Sequence, residues 1–354
     1  MAEQLDVPFQ PIRSTLYGAL ELLVGFEPND PQSIASTPDF LSYRYFVQSG
    51  RAAPVDPYAG MMEALHDNSI LRAMHQFLRQ SGKPAAAIMG GHQLKRDDPA
   101  YESVARISKR LTESNFLMAS GGGPGAMEAT HLGALLRDVG EAELKTALKD
   151  IASPATLPAT SAVVRDDGSV DAALVAQLHE WTKPAVALAE KHRGGGVSLA
   201  VPTWHYGHEP FSPLASHVAK YFQNSIREDV LLALAANGII YAPGRAGTLQ
   251  EVFQDAAQNY YRGPDEPFAP IVFFDKTFWE KTLPVGPLLR ALFVDLKRMD
   301  PAEYDRLVCF TDDEVEAAQF LIDHQPRVEK TELRMQSLGF GPMLADAARR
   351  DLTM

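Results

Sequence analysis

The spacing of apolar positions changes character near residue 84. Over residues 1–83 there is no two-residue alternation. Apolar side chains fall instead at helical spacing, first in Ser14–Val24 and again in Gly60–Arg79, where Met61, Leu65, Leu71, Met74 and Leu78 recur. The stretch between them is rich in Pro and Asp, with Asp30-Pro31 and Asp56-Pro57, and reads as connection. Residues 1–83 are therefore expected to form a helical extension packed on the domain that follows. From Pro84 short apolar runs alternate with helical patterns. Candidate strands are Ala85–Met89, Phe116–Ala119, Val197–Val201, Gly238–Ala242, Pro270–Phe274 and Arg306–Phe310. Candidate helices include Pro99–Glu113, Ala126–Leu136 and a long Leu214–Ala236. Six strands alternating with helices predict an α/β fold, a Rossmann-like doubly wound parallel sheet over residues 84–325.

One crossover is too long for such a sheet. Residues 137–196 hold two helical patches, Glu141–Ile151 and Asp171–His192, around a polar turn at Arg165-Asp-Asp-Gly168. An insertion into the main domain is expected there. Residues 326–354 read as a tail, with an amphipathic helix over Thr331–Arg350.

Composition narrows the function class. The formal charge of −12 argues against a general nucleic-acid or anionic-membrane surface, while leaving room for a local phosphate pocket. No run approaches the roughly 20 apolar residues of a membrane helix, and the first residues lack the pattern of a signal peptide. A cytoplasmic protein is the expectation. The single cysteine, Cys309, sits between Val308 and Phe310 and reads as a strand thiol rather than a nucleophile.

The chemistry concentrates in two glycine-rich loops. In the first, strand 238–242 runs into Pro243-Gly244-Arg245-Ala246-Gly247-Thr248, which opens a helix carrying Glu251. Unpaired N–H groups and the dipole at such a helix start attract an anion. Gly244 and Gly247 permit close approach, and Thr248 offers a hydroxyl. Glu251 faces whatever the loop holds or, equally well on spacing alone, is a first-turn acid stabilised by the dipole. The second loop, Gly121-Gly122-Gly123-Pro124-Gly125, turns strand 116–119 into the next helix. By itself it reads equally as a tight turn. His205, His208 and Glu209 raise the question of a metal, but Gly207 and Pro210 break any helix there and the spacing fits no zinc motif, so a loop contacting the base or a neighbouring subunit is the better reading. No metal and no cofactor are expected.

Pro-Gly-x-x-Gly-Thr-x-x-Glu at Pro243–Glu251, together with Gly121–Ala129, resembles the two signatures of the LOG-type phosphoribohydrolases, often described as lysine decarboxylase-like. The resemblance spans about residues 85–310 with one large insertion. Tyr206–Pro210 and Tyr221–Glu228 resemble the longer bacterial nucleotide 5′-monophosphate nucleosidases. It implies hydrolysis of the N-glycosidic bond of nucleoside 5′-monophosphates to free base and ribose 5-phosphate. It also implies Glu251 and Arg227 as catalytic residues, and a homodimer or larger homo-oligomer. The ribose and phosphate are expected against Gly90, Gly91, Gly121, Gly122, Gly123, Gly125, Pro243, Gly244, Arg245, Ala246, Gly247 and Thr248, with Met127 either near the base or a core residue on its helix face. Met127 and Glu128 hold family-like positions. Gly90-Gly91 replaces the usual Gly-Ser, and Arg245 and Gln250 replace a glycine and an acid of compact members. Arg227 also reads as a surface cation paired with Glu228 or Asp229.

Two other readings compete. One is a cytokinin riboside 5′-monophosphate phosphoribohydrolase acting on modified AMP. The other is a carrier or sensor that holds a nucleotide or the molybdenum cofactor without cleaving it. Neither nucleic acid nor membrane is an expected partner.

Overall fold

The computed structural model describes residues 7–326 except His208 and Pro264. Three helices lead: α1 (Ala19–Leu22), α2 (Pro38–Ser49) and α3 (Pro57–Ser81). Next come β1 (Ala85–Met89), α4 (Pro99–Glu113), β2 (Leu117–Ser120), α5 (Ala126–Leu135), α6 (Glu141–Ile151), α7 (Ala172–Lys191) and β3 (Ser198–Ala200). The chain continues through β4 (His217–Val218), α8 (Asn224–Leu234), β5 (Ile239–Tyr241), α9 (Ala246–Tyr260) and β6 (Ile271–Phe274). It closes with α10 (Gly286–Arg290), α11 (Pro301–Leu307), β7 (Val308–Thr311) and α12 (Glu314–His324). The tail helix expected over Thr331–Arg350 lies outside the described residues.

The strands form one all-parallel sheet in the order β4-β3-β2-β1-β5-β6-β7. Chain direction across the sheet reverses between β1 and β5, so the loops leaving these two strands diverge and open a crevice at their carboxyl ends. Strand β1 is apolar throughout because both its faces are covered. Ala85, Ala87 and Met89 pack into one layer with the N-terminal helices, α8 and α9. Ala86 and Ile88 pack into the other with α4, α5, α6 and α12. The N-terminal helices thus share a core with the sheet. Among the described residues no helix is long and apolar enough to cross a membrane.

Four sequence expectations need correction. The sheet has seven strands, not six, because β4 is only two residues long. It pairs with β3, and Tyr17 closes its outer edge through two backbone hydrogen bonds to Val218 (3.1 and 2.8 Å). A long helix from Leu214 does not form. The apolar spacing of Leu214, Val218 and Phe222 belongs to an extended, buried segment, and helix α8 starts only at Asn224. In the N-terminal region the helix expected over Ser14–Val24 is the single turn α1, because Tyr17 is held in the edge bridge. The supposed connection contains α2 instead. Its signals were local: Thr37 accepts from the Phe40 N–H, Pro38 occupies the first turn, and Gly50 ends the helix at φ +107°.

Candidate active site

Four loops leaving β3, β2, β1 and β5 surround a cavity of about 300 Å³. They lie in strand order, so the β5 loop stands at one end and the β3 loop at the other. At the β5 end, α9 begins with Arg245 as its N-cap. The first intrahelical bond runs from the Leu249 N–H to the Arg245 carbonyl (2.9 Å), which leaves the N–H groups of Ala246, Gly247 and Thr248 without helical acceptors. Thr248 is buried and packs back against Gly244, where an added Cβ would lie 2.2 Å from its Oγ1. A Cβ on Gly247 would meet nothing within 4 Å, so that glycine faces open space. Arg245 is exposed, and its guanidinium makes no hydrogen bond or ion pair with the described residues. This end has three donors, a dipole and an uncommitted guanidinium: the makings of an anion cradle.

One turn along α9, Glu251 points into the cavity with its side chain 16% exposed, facing Arg227 of α8, which is 13% exposed. The Arg227 Nη1–Glu251 Oε1 distance is 3.8 Å, close enough for attraction and too long for a hydrogen bond. Burial pushes the Glu251 carboxyl up to about 7; Arg227 pulls it down and Glu228 pushes it further up. A carboxyl balanced near neutrality can exchange a proton with substrate or water. Arg227 is held on its other side by a hydrogen bond from Nε to the Val201 carbonyl (3.2 Å).

The β2 loop gives Arg227 its space. A Cβ on Gly121 would lie 2.0 Å from Arg227 Nη2 and 2.7 Å from Met127 Sδ, so the guanidinium rests against bare backbone. Gly122 (φ +74°) and Gly125 (φ +71°) hold conformations that favour glycine. At Gly125 a Cβ would also strike the Gly91 carbonyl at 2.3 Å. Beneath the loop, the Ser120 hydroxyl accepts from the Gly122 N–H and bonds His131 Nε2 (2.8 Å), while His131 Nδ1 bonds Ser198 (3.0 Å). Burial pushes the His131 imidazole down to about 3, so it stays neutral.

The β3 end is walled by Tyr206 and Glu209, with His92 from the β1 loop. His92 Nε2 stands 3.9 Å from Glu209 Oε1, and the Glu209 carboxylate accepts no hydrogen bond from the described residues. This wall rests on the N-terminal helices. A Cβ on Gly207 would lie 2.0 Å from the Tyr43 ring of α2. Asp39 of α2 accepts from Trp204 Nε1 (2.9 Å) and from the buried Lys220 ammonium (2.6 Å). Asp67 of α3 does the same for α8. It accepts from the Phe222 N–H (2.9 Å) and the Gln223 N–H (2.8 Å), and its neighbour His66 reaches it at 3.1 Å. An acid 156 residues upstream of Gln223 therefore anchors the segment that leads into the Arg227 helix.

Of the residues expected from sequence, Gly90, Gly91, Met127, Arg227, Arg245, Gly247, Thr248 and Glu251 line the cavity. Gly121, Gly122, Gly123, Gly125, Pro243, Gly244 and Ala246 do not line it themselves and instead shape the loops behind. Glu128 faces away: it is buried in a two-pronged pairing with Arg96 (2.8 and 2.7 Å), which also bonds the Trp181 carbonyl of α7 (2.8 Å). His92, Gln93, Glu228 and Gln250 also line the cavity and were not expected there; Tyr206 and Glu209 line it from the loop expected to meet the base or a neighbouring subunit. For Glu228 the signal was its place beside Arg227; its carboxylate accepts from Gln250 Nε2 (3.1 Å) and Asn224 Nδ2 (2.6 Å), bridging α8 to α9. Among the described residues no three His, Cys, Asp or Glu side chains converge as a metal site. No model of a known protein family matches the chain, and no curated protein does either.

Proposed function

We propose that the protein hydrolyses the N-glycosidic bond of nucleoside 5′-monophosphates, releasing free base and ribose 5-phosphate. The observation that carries this reading is the placement of a near-neutral carboxyl, Glu251, one turn from an open helix N-terminus and 3.8 Å from Arg227. Phosphate bound at Ala246–Thr248 would bring the sugar over the Glu251–Arg227 pair. A pure carrier needs the first feature and has no use for the second.

The chemistry follows from what each group can do. The bond between C1′ and the base nitrogen breaks with its electron pair leaving on the base, and the sugar gains oxocarbenium character. A water bonds to C1′ while the Glu251 carboxylate takes one of its protons. That proton then passes, through solvent in the cavity, to the departing base, which restores the carboxylate. The carboxylate charge also stabilises the cationic sugar, as paired acids do in O-glycoside hydrolysis. Arg227 holds ribose hydroxyls by forked donation and keeps Glu251 partly ionised.

A panel of nucleoside monophosphates and their parent nucleosides, assayed for released base, tests the reading. Cleavage of monophosphates at least about 100-fold faster than nucleosides is the expected result, since the cradle contributes binding only to the phosphate. Binding of monophosphates without any base release would leave the carrier reading. Faster cleavage of N6-modified AMP than of every unmodified nucleotide would move the assignment to cytokinin activation.

A further inference from the structure

The four loops follow strand order, so the phosphate cradle at β5 and the Tyr206–Glu209 wall at β3 stand three strand spacings apart. At about 4.8 Å each this is roughly 14 Å, enough for a nucleotide laid along the cavity. Contacts between the two ends run in the same direction. Met127 has its sulfur beside Gly121 and Arg227, and its terminal methyl beside Gly123, whose added Cβ would lie 3.9 Å from Glu209 Oε2. The order from one end to the other is helix α9 start, Glu251 with Arg227, Met127, then Glu209 with His92. If the phosphate and sugar occupy the first two stations, the base meets the last two.

We propose that Tyr206, Glu209, His92 and Met127 form a nucleobase subsite in which Glu209 accepts a hydrogen bond from an exocyclic amine. It therefore selects amino-bearing bases over their deaminated counterparts. This rests on the nucleotide reading above. An ionised carboxylate only accepts hydrogen bonds. Glu209 accepts none from the described residues, and the nearby His92 imidazole is beyond hydrogen-bond distance at 3.9 Å. An amine at the base edge supplies the missing donor. A carbonyl in the same place sets acceptor against acceptor, and sites built for a donor reject analogues that lack it. Tyr206 and Met127 offer the flat and polarisable surfaces that a heteroaromatic ring covers.

Two pairs of nucleotides isolate the amine: AMP against IMP, and CMP against UMP. Their kcat/KM values are compared in the native enzyme and in Glu209→Gln, which keeps the side-chain size and adds a donor. The expected native preference is about tenfold or more for the amino member of each pair, falling below about threefold in the variant. Dissociation constants for AMP and IMP, measured in Glu251→Gln with and without Glu209→Gln, separate this claim from the hydrolysis itself. Equal kcat/KM within each pair, or a preference that survives Glu209→Gln, overturns the subsite and leaves hydrolysis standing. Tighter AMP than IMP binding that depends on Glu209, in a protein that cleaves neither, upholds the subsite and removes the hydrolase reading. Indifference of both nucleotides to Glu209 in the binding assay rejects the subsite whatever the turnover.

Discussion

The two ends of the cavity are built by opposite means. At the β5 end the groups on offer are mostly backbone. Three N–H groups, a glycine with open space above it and a helix dipole come from six consecutive residues, Pro243–Thr248. At the β3 end they are side chains on a loop that is held by distant parts of the chain. Asp39 and Tyr43 reach the loop from α2, and Asp67 reaches the adjoining α8 start from α3. A local backbone motif can be recognised from its own residues, whereas a wall assembled from long-range hydrogen bonds cannot. Arg227 and Glu251 stand between the two constructions. The acid comes with the local motif, and the guanidinium is placed by the distant one.

The largest effect expected is from Glu251→Gln. Loss of the proton acceptor should lower kcat about 1,000-fold, within the usual range for acid–base groups, with nucleotide affinity changed by less than about fivefold. Stability should move the other way. The folded protein holds the Glu251 proton up to about 7, while an ordinary glutamate releases it near 4.5. Native stability therefore falls as pH rises between these values, by at most about 3 kcal/mol. The variant's melting temperature should exceed the native one at pH 8 and converge with it near pH 4.5. A variant less stable than native protein at pH 8 would contradict the burial assigned to this carboxyl.

Gly121→Ala probes the junction of the two constructions. Its φ is outside the glycine-favouring region, so the methyl group brings no backbone strain, but it would fall 2.0 Å from Arg227 Nη2. A fall in kcat/KM of about 100-fold is expected, as a 1 Å misplacement of a positioning group commonly costs, with the melting temperature lowered only slightly. Unchanged turnover would mean that Arg227 can move without consequence, and that its role is structural.

Asp67→Ala tests whether the distant helices belong to the site. Two backbone N–H groups would lose their acceptor, costing about 2–4 kcal/mol of stability, and kcat/KM should drop about 30-fold. The discriminating readout is a cycle with Arg227→Ala, in which the second substitution should add almost no further loss. Additive losses would make Asp67 a stability residue only.

The smallest effect is the one most specific to the β5 end. Gly247→Ala meets no protein atom within 4 Å, and it removes a glycine from a helix. The protein should gain about 0.5–1 kcal/mol, while KM for a monophosphate rises about tenfold because the methyl group occupies ligand space. A stability gain with unchanged KM would place the phosphate elsewhere.

The same contrast explains what the sequence revealed. Alternating strand and helix patterns located six of the seven strands and most crossover helices, because each is an apolar run of ordinary length. Strand β4 escaped because two residues carry no period. The start of α8 escaped because its anchoring acid lies in α3, far upstream, and the apolar spacing of Leu214, Val218 and Phe222 imitates a helix. Glu251, Gly247 and Thr248 were legible from one decapeptide. Tyr206 and Glu209 lay in a loop expected to meet the base or a neighbouring subunit, yet nothing local tells which of its side chains turns inward. The burial of Glu128 was hidden for the same reason: its partners Arg96 and Tyr101 come from other segments, and only the fold brings them to it.

The most direct test of the central claim is to follow AMP with the native protein and with Glu251→Gln, quantifying adenine and ribose 5-phosphate together. The account predicts the two products in one-to-one ratio from the native protein, at a rate that rises with pH through about 7 as Glu251 ionises, and nearly none from the variant. Equal rates in the two proteins, or adenosine and inorganic phosphate in place of base and sugar phosphate, would contradict it.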